Sequence, residues 1–510
     1  MKNILTKSIP IVLALAFAVW AMIRLVVQNG DLLYEAQEQS FWQPGELYYA
    51  QLMLQPGSLV SWIGQYLTQY FYYPTLGAAI LVILWLVIYL LWIYSLRLTW
   101  QWCWLGLIIP VLLLFQVTSP GFYIYVSKVP DWWFTPTLYA LVFTILQTAI
   151  SWFAHKYMRY GAILIWIGFF GTLHTWASQC NIPQTLRYPF HPSLQDTRFH
   201  AEMRMERAAE NADWAQIINE YKQCPDAPTR TMWVYKNIAL LNQGKLLDDW
   251  LKFMPLTLKP TYNDSVYVAM AEGPGQMLYY LYGCIEFSNR WGIENMVEYG
   301  SSMKRLRLLT RCAMVKEEWE LAEKYLNLLS RTTFQSQWAD EQRVFLRHPE
   351  RLAQDPSYRL PLLLSQSFHN YLEGHNGRVE NYLITAYTTD HDHLCREHAE
   401  MSLMIALQTQ NINLFWEIFH FYLTLHPGET IPANVQEAAY LFIKLDPESA
   451  PKHEFPFDKQ IIERYDQFNA RSQQLLQQGY QENQLPRALY KEFGKSYYWY
   501  FFFCRNIRTY

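Results

Sequence analysis

Residues 161–178 read GAILIWIGFFGTLHTWAS, eighteen consecutive positions without a Lys, Arg, Asp or Glu. At about 1.5 Å per residue, a helix of that length approaches the ~30 Å hydrocarbon core of a bilayer. Lipid offers no hydrogen bonds, so a lone apolar segment placed there satisfies its backbone internally, as an α-helix. Four further apolar runs precede it, at 9–27, 75–96, 102–117 and 134–153, and none of comparable length and purity comes after it. The chain is therefore read as all-α, with a polytopic membrane domain of about five spans over residues 1–178.

Charge and aromatic content support the same division. Of 41 Lys and Arg and 44 Asp and Glu, seven and five fall in 1–178, leaving 34 and 39 for 179–510. Thirteen of the 21 Trp lie in the first 178 residues, as expected where an apolar ring with one N–H meets the headgroup region. A net charge of −3 gives no electrostatic case for nucleic acid, which calls for a basic face. Lys2, Lys7, Arg97, Lys156 and Arg159 flank one set of span ends, whereas the alternate flanks, 29–74 and 118–133, carry only Lys128. Basic flanks favour the cytoplasmic side. The N-terminus is thus cytoplasmic, and five crossings leave residues 179–510 outside the cytoplasm. Seven Cys without a C-x-x-C pair signal neither a zinc ribbon nor a thioredoxin-type motif. Six lie beyond 178, where one or two disulfides and free buried thiols are both open readings.

One line of polar side chains stands out in the membrane half. If the first span continues as a helix past Gly30, then Arg24, Gln28, Asp31, Glu35 and Glu38 succeed one another at steps of four, three, four and three, on one face. Charge inside lipid is costly and is paired, snorkelled or functional, and Asp31 is the local partner for Arg24. Two readings are open. One is a cation, proton or substrate site at the outer surface, with Asp31, Glu35 or Glu38 as general base. The other is Arg24 snorkelling outward below a solvated acidic stripe. The outer loop 29–74 also holds an uncharged amphipathic segment, Leu59, Ile63, Tyr66, Leu67 and Tyr70 opposed by Ser61, Gln65 and Thr68. It either lies in the membrane interface or packs on the spans.

Pro183, Pro189 and Pro192 make 179–196 an extended linker. From 197 to 510, short amphipathic helices alternate with Gly, Pro, Asn and Asp punctuation. The spacing of Trp214, Ile217, Tyr221 and Cys224 recurs in Trp319, Ala322, Leu326 and Leu329 and in Phe415, Ile418, Tyr422 and Leu425, with Leu246, Asp249 and Phe253 a weaker copy. These runs resemble the second helix of a tetratricopeptide unit, and their distance from a regular ~34-residue period implies a degenerate tetratricopeptide-like solenoid. Such a stack leaves a concave face for protein or peptide segments. The stretch 390–400, DHDHLCREHAE, is the candidate metal site. On a helix His391, Cys395 and His398 share a face, which suits zinc provided that a fourth ligand comes from elsewhere. The other reading makes them solvated residues at a helix start. The aromatic run YYWYFFFC at 497–504 is too short to span lipid and is expected to finish the helical core.

The loop sequence PGSLVSWIGQYLTQYFYYPTLG at 56–77 and IPANVQEAAYL at 431–441 resemble an uncharacterised family of multi-pass inner-membrane proteins from Bacteroidetes. The resemblance implies a Gram-negative inner membrane with the repeat region in the periplasm, and brings no activity or site residues with it. No catalytic motif rises from the sequence and no cofactor is expected. The expected function is an envelope scaffold or adaptor, whose spans fix the domain 197–510 at the lipid bilayer while that domain captures an envelope protein or peptide. Two other classes remain open. One is a membrane transferase acting on lipid-linked or polysaccharide substrates, with Asp31 or Glu35 as base. The other is a transporter component, for which the spans carry no paired inverted repeats.

Overall fold

The computed structural model describes residues 2–46, 49–50, 58–118, 124, 133–153, 166, 168, 171, 197–224, 228–253, 275–367, 379–389, 395–448 and 455–504. In chain order its α-helices are α1 (Lys2–Met22), α2 (Gly30–Glu38), α3 (Ser58–Thr68), α4 (Pro74–Leu96), α5 (Ile108–Val117), α6 (Thr135–Phe153), α7 (Thr197–Glu210), α8 (Trp214–Gln223), α9 (Arg230–Asn242), α10 (Leu246–Asp249), α11 (Gly275–Leu281), α12 (Ile285–Tyr299), α13 (Met303–Val315), α14 (Trp319–Ser330), α15 (Ser336–Arg347), α16 (Arg359–Ser365), α17 (Val379–Thr389), α18 (Arg396–Thr409), α19 (Ile412–Leu425), α20 (Ala433–Leu445), α21 (Lys459–Gln477), α22 (Leu485–Phe493) and α23 (Tyr497–Phe503). Among the described residues no β-strand forms. The chain divides into two compact units, Met1–Met203 with Gly292–Arg347, and Arg204–Trp291 with His348–Tyr510.

In the first unit, Ser8–Gln28 and Pro74–Leu96 are long and apolar enough to cross a membrane. The third expected span is shorter, a 3-10 turn at Cys103–Leu107 leading into α5. Pro110 stands in the first turn of α5, where its missing N–H removes no helical bond. The fourth run forms α6. The fifth, 161–178, and the linker 179–196 lie outside the described residues apart from Trp166, Gly168 and Gly171.

These helices bury Leu81, Val82, Trp85, Ile88 and Leu114 and also meet through polar side chains, while other large apolar side chains turn outward. Trp85 Nε1 donates to Thr137 Oγ1 at 2.9 Å, and Gln147 Nε2 donates to Ser95 Oγ at 2.7 Å. Gln147 Oε1 accepts from Trp92 at 3.0 Å and Trp166 at 2.6 Å. Leu76, Ile83, Val87 and Leu90 of α4 and Val142, Ile145 and Leu146 of α6 are exposed. The amphipathic segment forms α3, which packs on α6 with Ser61, Gln65 and Thr68 buried and Leu59 and Ile63 exposed. Gly77 lets the preceding turn fold tightly onto α4, since a Cβ there would stand 2.3 Å from the Phe71 ring.

One helix-to-helix turn recurs in both units. After α7, α9, α11, α13 and α18 the chain passes through a single left-handed residue, Ala212, Gly244, Gly283, Glu317 and Gln410 respectively. The next N–H then donates five residues back: Asp213 to Ala208 O (2.8 Å), Lys245 to Leu240 O (2.9 Å), Cys284 to Tyr279 O (2.9 Å), Glu318 to Ala313 O (2.8 Å) and Asn411 to Ala406 O (3.1 Å). This closes the last carbonyls of one helix and starts the next within two residues. The aromatic runs seen in the sequence begin or lie in the second helices of three such pairs. Ile217 and Tyr221 of α8, Ala322, Leu326 and Leu329 of α14, and Phe415, Ile418 and Tyr422 of α19 are buried.

The C-terminal aromatic run forms α23 and completes the core of the second unit, as expected. Tyr497, Tyr498, Trp499 and Tyr500 are fully buried. Each sends its polar atom to a backbone carbonyl: Tyr497 to Leu407 (3.0 Å), Tyr498 to Ile461 (3.0 Å), Trp499 to Pro486 (2.9 Å) and Tyr500 to Gln408 (2.7 Å). Buried aromatics with a polar end need such acceptors. Among the described residues six cysteines, 103, 224, 284, 312, 395 and 504, are free thiols.

Candidate functional site

The polar line that starts on the first apolar helix is interrupted and then continued. Between α1 and α2 lies a π-helical turn, Ile23–Gln28. A π turn takes in one extra residue, which rotates the helix before it by roughly 100° against the helix after it. Arg24 therefore leaves the line that an unbroken α-helix would give, and its guanidinium donates to Gln28 Oε1. Asp31, Glu35 and Glu38 all come after the π turn and keep their spacing on α2.

Each of these three carboxylates meets a nitrogen-bearing side chain from a later part of the first unit, an imidazole for Asp31 and a cation for Glu35 and for Glu38. His200 Nδ1 lies 2.9 Å from both Asp31 oxygens. Lys304 Nζ donates to Glu35 Oε1 at 2.8 Å, an oxygen that also accepts from Gln39 Nε2 at 2.8 Å. Arg307 clasps Glu38 with both terminal nitrogens, Nη1 to Oε1 at 3.1 Å and Nη2 to Oε2. The fork of a guanidinium matches a carboxylate in this two-bond manner, the strongest of the three contacts. The Glu38 side chain is 1 % exposed and that of Arg307 8 %. The acidic stripe is thus not solvated, because α13 covers its upper two members.

Neighbouring polar groups tie the same elements together. Arg305 Nη2 donates to Gln39 Oε1 and Nη1 to Gly300 O, both at 3.0 Å. Burial pushes the Arg305 guanidinium down to about 10, with Glu35 and Tyr299 opposing the shift. Met303 N donates to Ser40 O at 3.1 Å, and Gln69 Nε2 to Ser40 Oγ at 2.7 Å. Gln335 Oε1, just before α15, accepts from Arg307 Nη1 at 3.2 Å. The arrangement fixes α13 on α2 by paired charge, and Gln335 joins it through Arg307. Sequence reasoning found the acids and missed their partners. The available signal was KRLRLLTR at 304–311, four cations and no acid on an otherwise apolar helix, which calls for carboxylates elsewhere.

Of the metal candidate, Cys395 and His398 are among the described residues. His391 lies outside the described residues. Helix α18 begins at Arg396, and Cys395 is its N-cap, with Sγ accepting from His398 N at 3.4 Å. Ser367 Oγ also donates to that sulfur at 3.8 Å. Burial pushes the Cys395 thiol up. The His398 ring is buried, 4.7 Å from the Tyr387 ring. Among the described residues no three His, Cys, Asp or Glu side chains gather as a metal-ligand set.

No curated protein matches the chain, and no solved structure does. A sequence profile matches it over residues 4–172 and 100–504. With nearly its whole length covered, the chain belongs to the family of unknown function DUF6057.

Proposed function

We propose that this protein is an integral membrane adaptor of the bacterial envelope. About five spans hold it in the inner membrane of a Bacteroidetes-type cell with its N-terminus in the cytoplasm. A degenerate tetratricopeptide-like solenoid in the periplasm receives an envelope protein or peptide. The outward apolar faces of α3, α4 and α6 and their inward polar contacts support a lipid surround, where polar groups find partners only between helices. Tyr94, Trp100, Trp102, Trp104 and Trp152 are exposed around Arg97, the pattern of an interfacial belt at a cytoplasmic edge.

The observation that carries the adaptor reading is the ladder of ion pairs. It fastens the helix pair α13–α14 to the stem that continues the first apolar helix, and that pair closes with the same turn as the pairs of the second unit. A general base must reach its substrate, whereas these carboxylates are each engaged by a side chain, Asp31 by His200, Glu35 by Lys304 and Glu38 by Arg307. Periplasm-dependent reporters fused after Lys156 and after Ser178 test the topology: signal from the second alone is expected, and any other pattern overturns it. Purification in mild detergent tests the adaptor role. A stoichiometric envelope protein is expected to stay bound, and repeated isolation of the chain alone overturns the reading.

A further inference from the structure

The second unit contains a cleft of about 500 Å³ between the end of α10, the start of α20, α21 and the residue Lys495 that precedes α23. We propose that this cleft binds a small amphoteric ligand carrying one ammonium and one carboxylate, of short-peptide size. The inference goes beyond the adaptor reading and stands without it.

The charges of the lining carry the argument. Asp248, Glu437 and Glu463 are balanced there by Lys252, Arg464 and Lys495. A ligand of one sign gains from one set and is repelled by the other, whereas a ligand with both signs gains from both. Part of the set is already engaged. Glu437 Oε2 accepts from Ser496 Oγ at 2.8 Å and Tyr497 N at 2.6 Å, while Oε1 lies 3.4 Å from Arg464 Nε. Lys252 pairs with Asp249. The rest is not engaged. Lys495 and Glu463 have no partner among the described residues. Asn434 donates to Leu247 O at 3.3 Å and Asp248 O at 3.4 Å, which leaves its own carbonyl oxygen open. Burial and neighbouring Asp249 push Asp248 up, so an incoming ammonium would relieve it. An unpaired ammonium, unpaired carboxylates and an open amide oxygen are complementary to a peptide with free ends. The volume falls within the ~300–1,000 Å³ usual for small-ligand sites.

The test titrates the full chain in mild detergent with trialanine, its N-acetyl form, its C-amide form and the doubly blocked form, read by calorimetry. Free trialanine is expected to bind at least about tenfold tighter than the doubly blocked form, with each single block losing part of that ratio. Lys495→Ala is expected to abolish the loss on C-amidation and keep the loss on N-acetylation. Asp248→Asn with Glu463→Gln should do the reverse. Equal affinity for all four probes, tighter binding of the doubly blocked form, or no heat with any of them at millimolar concentration overturns the proposal. Each of those outcomes leaves the topology and copurification experiments untouched, so the two readings fail separately.

Discussion

On α3, in the first unit, Ser61, Gln65 and Thr68 are buried while Leu59 and Ile63 are exposed; on α8, in the second, Ile217 and Tyr221 are buried while Asn219, Lys222 and Gln223 are exposed. Both helices are amphipathic with the same period, and they face opposite ways. An amphipathic period specifies only that two faces differ; the medium around the unit decides which one turns inward. Water selects the arrangement of α8 because apolar burial is favourable there. In the lipid surround proposed for the first unit, apolar burial gains little and polar side chains add to the joining, as Gln147 does for Ser95, Trp92 and Trp166. Charge is buried by different means as well. The first unit opposes Glu35 and Glu38 of α2 with Lys304 and Arg307, whereas Glu437 in the second relies on a hydroxyl, a backbone N–H and a longer contact to Arg464.

The largest effect is expected where that opposition of whole charges is broken. Arg307→Ala leaves Glu38 buried without its two-bond partner, and removing one side of a buried pair costs about 3–5 kcal/mol. The midpoint of thermal unfolding in mild detergent should fall sharply. Glu38→Gln with Arg307→Met, which removes both charges and keeps the volume, should recover most of the loss. A double variant as unstable as the single one would mean that Arg307 acts through shape, and the contrast in how the units bury charge would lapse.

Next in size is the contrast of faces. Ile83 is exposed near the middle of α4, and Leu476 is exposed on α21. A Lys at the centre of a membrane helix costs about 2.5–3.5 kcal/mol, while an exposed position in water usually changes stability by less than about 0.5 kcal/mol. Ile83→Lys should therefore lower the carbonate-resistant membrane fraction of the protein, and Leu476→Lys should not. Equal behaviour of the two would remove the difference of medium on which the comparison rests.

Periodicity made much of this fold legible. The helical class, the positions of α1, α4 and α6, and the inward runs of α8, α14 and α19 all come from apolar spacing. The features that escaped are those periodicity does not encode. The recurrent turn uses Ala212, Glu317 and Gln410 at its left-handed position, where a search for Gly, Pro and Asn finds nothing. The partners of Asp31, Glu35 and Glu38 lie 169, 269 and 269 residues further along, and pairing at such separations is set by tertiary folding. The π turn that moves Arg24 off the acidic line leaves no compositional mark either.

The recurrent turn gives a prediction on which the two units should agree. A residue other than Gly in the left-handed region carries a cost of about 1 kcal/mol. Glu317→Gly in the first unit and Gln410→Gly in the second should each stabilise by up to about that amount, less the entropy that Gly adds to the unfolded chain. Thermal midpoints that rise together identify the turn as a feature independent of the surrounding medium. A rise in one unit alone would make the turn part of the contrast.

The smallest effect concerns the acid that the second unit buries without a full counter-charge. Burial pushes the Glu437 carboxyl above its ordinary 4.5, with Ser496, the Tyr497 amide and Arg464 holding it back. The folded chain then binds more protons than the unfolded chain in the window between the two values. The contribution of Glu437 to stability is whole below 4.5 and is lost as pH rises through the folded value. Glu437→Gln keeps the shape and removes the titration. The wild type should therefore lose thermal midpoint relative to the variant as pH climbs above 4.5, and the difference should level off once the carboxyl is ionised in both states. A difference that moves in the wild type's favour over that window would mean that Arg464 outweighs burial. Glu437 would then be held by opposite charge as Glu38 is, and the two units would bury their acids alike.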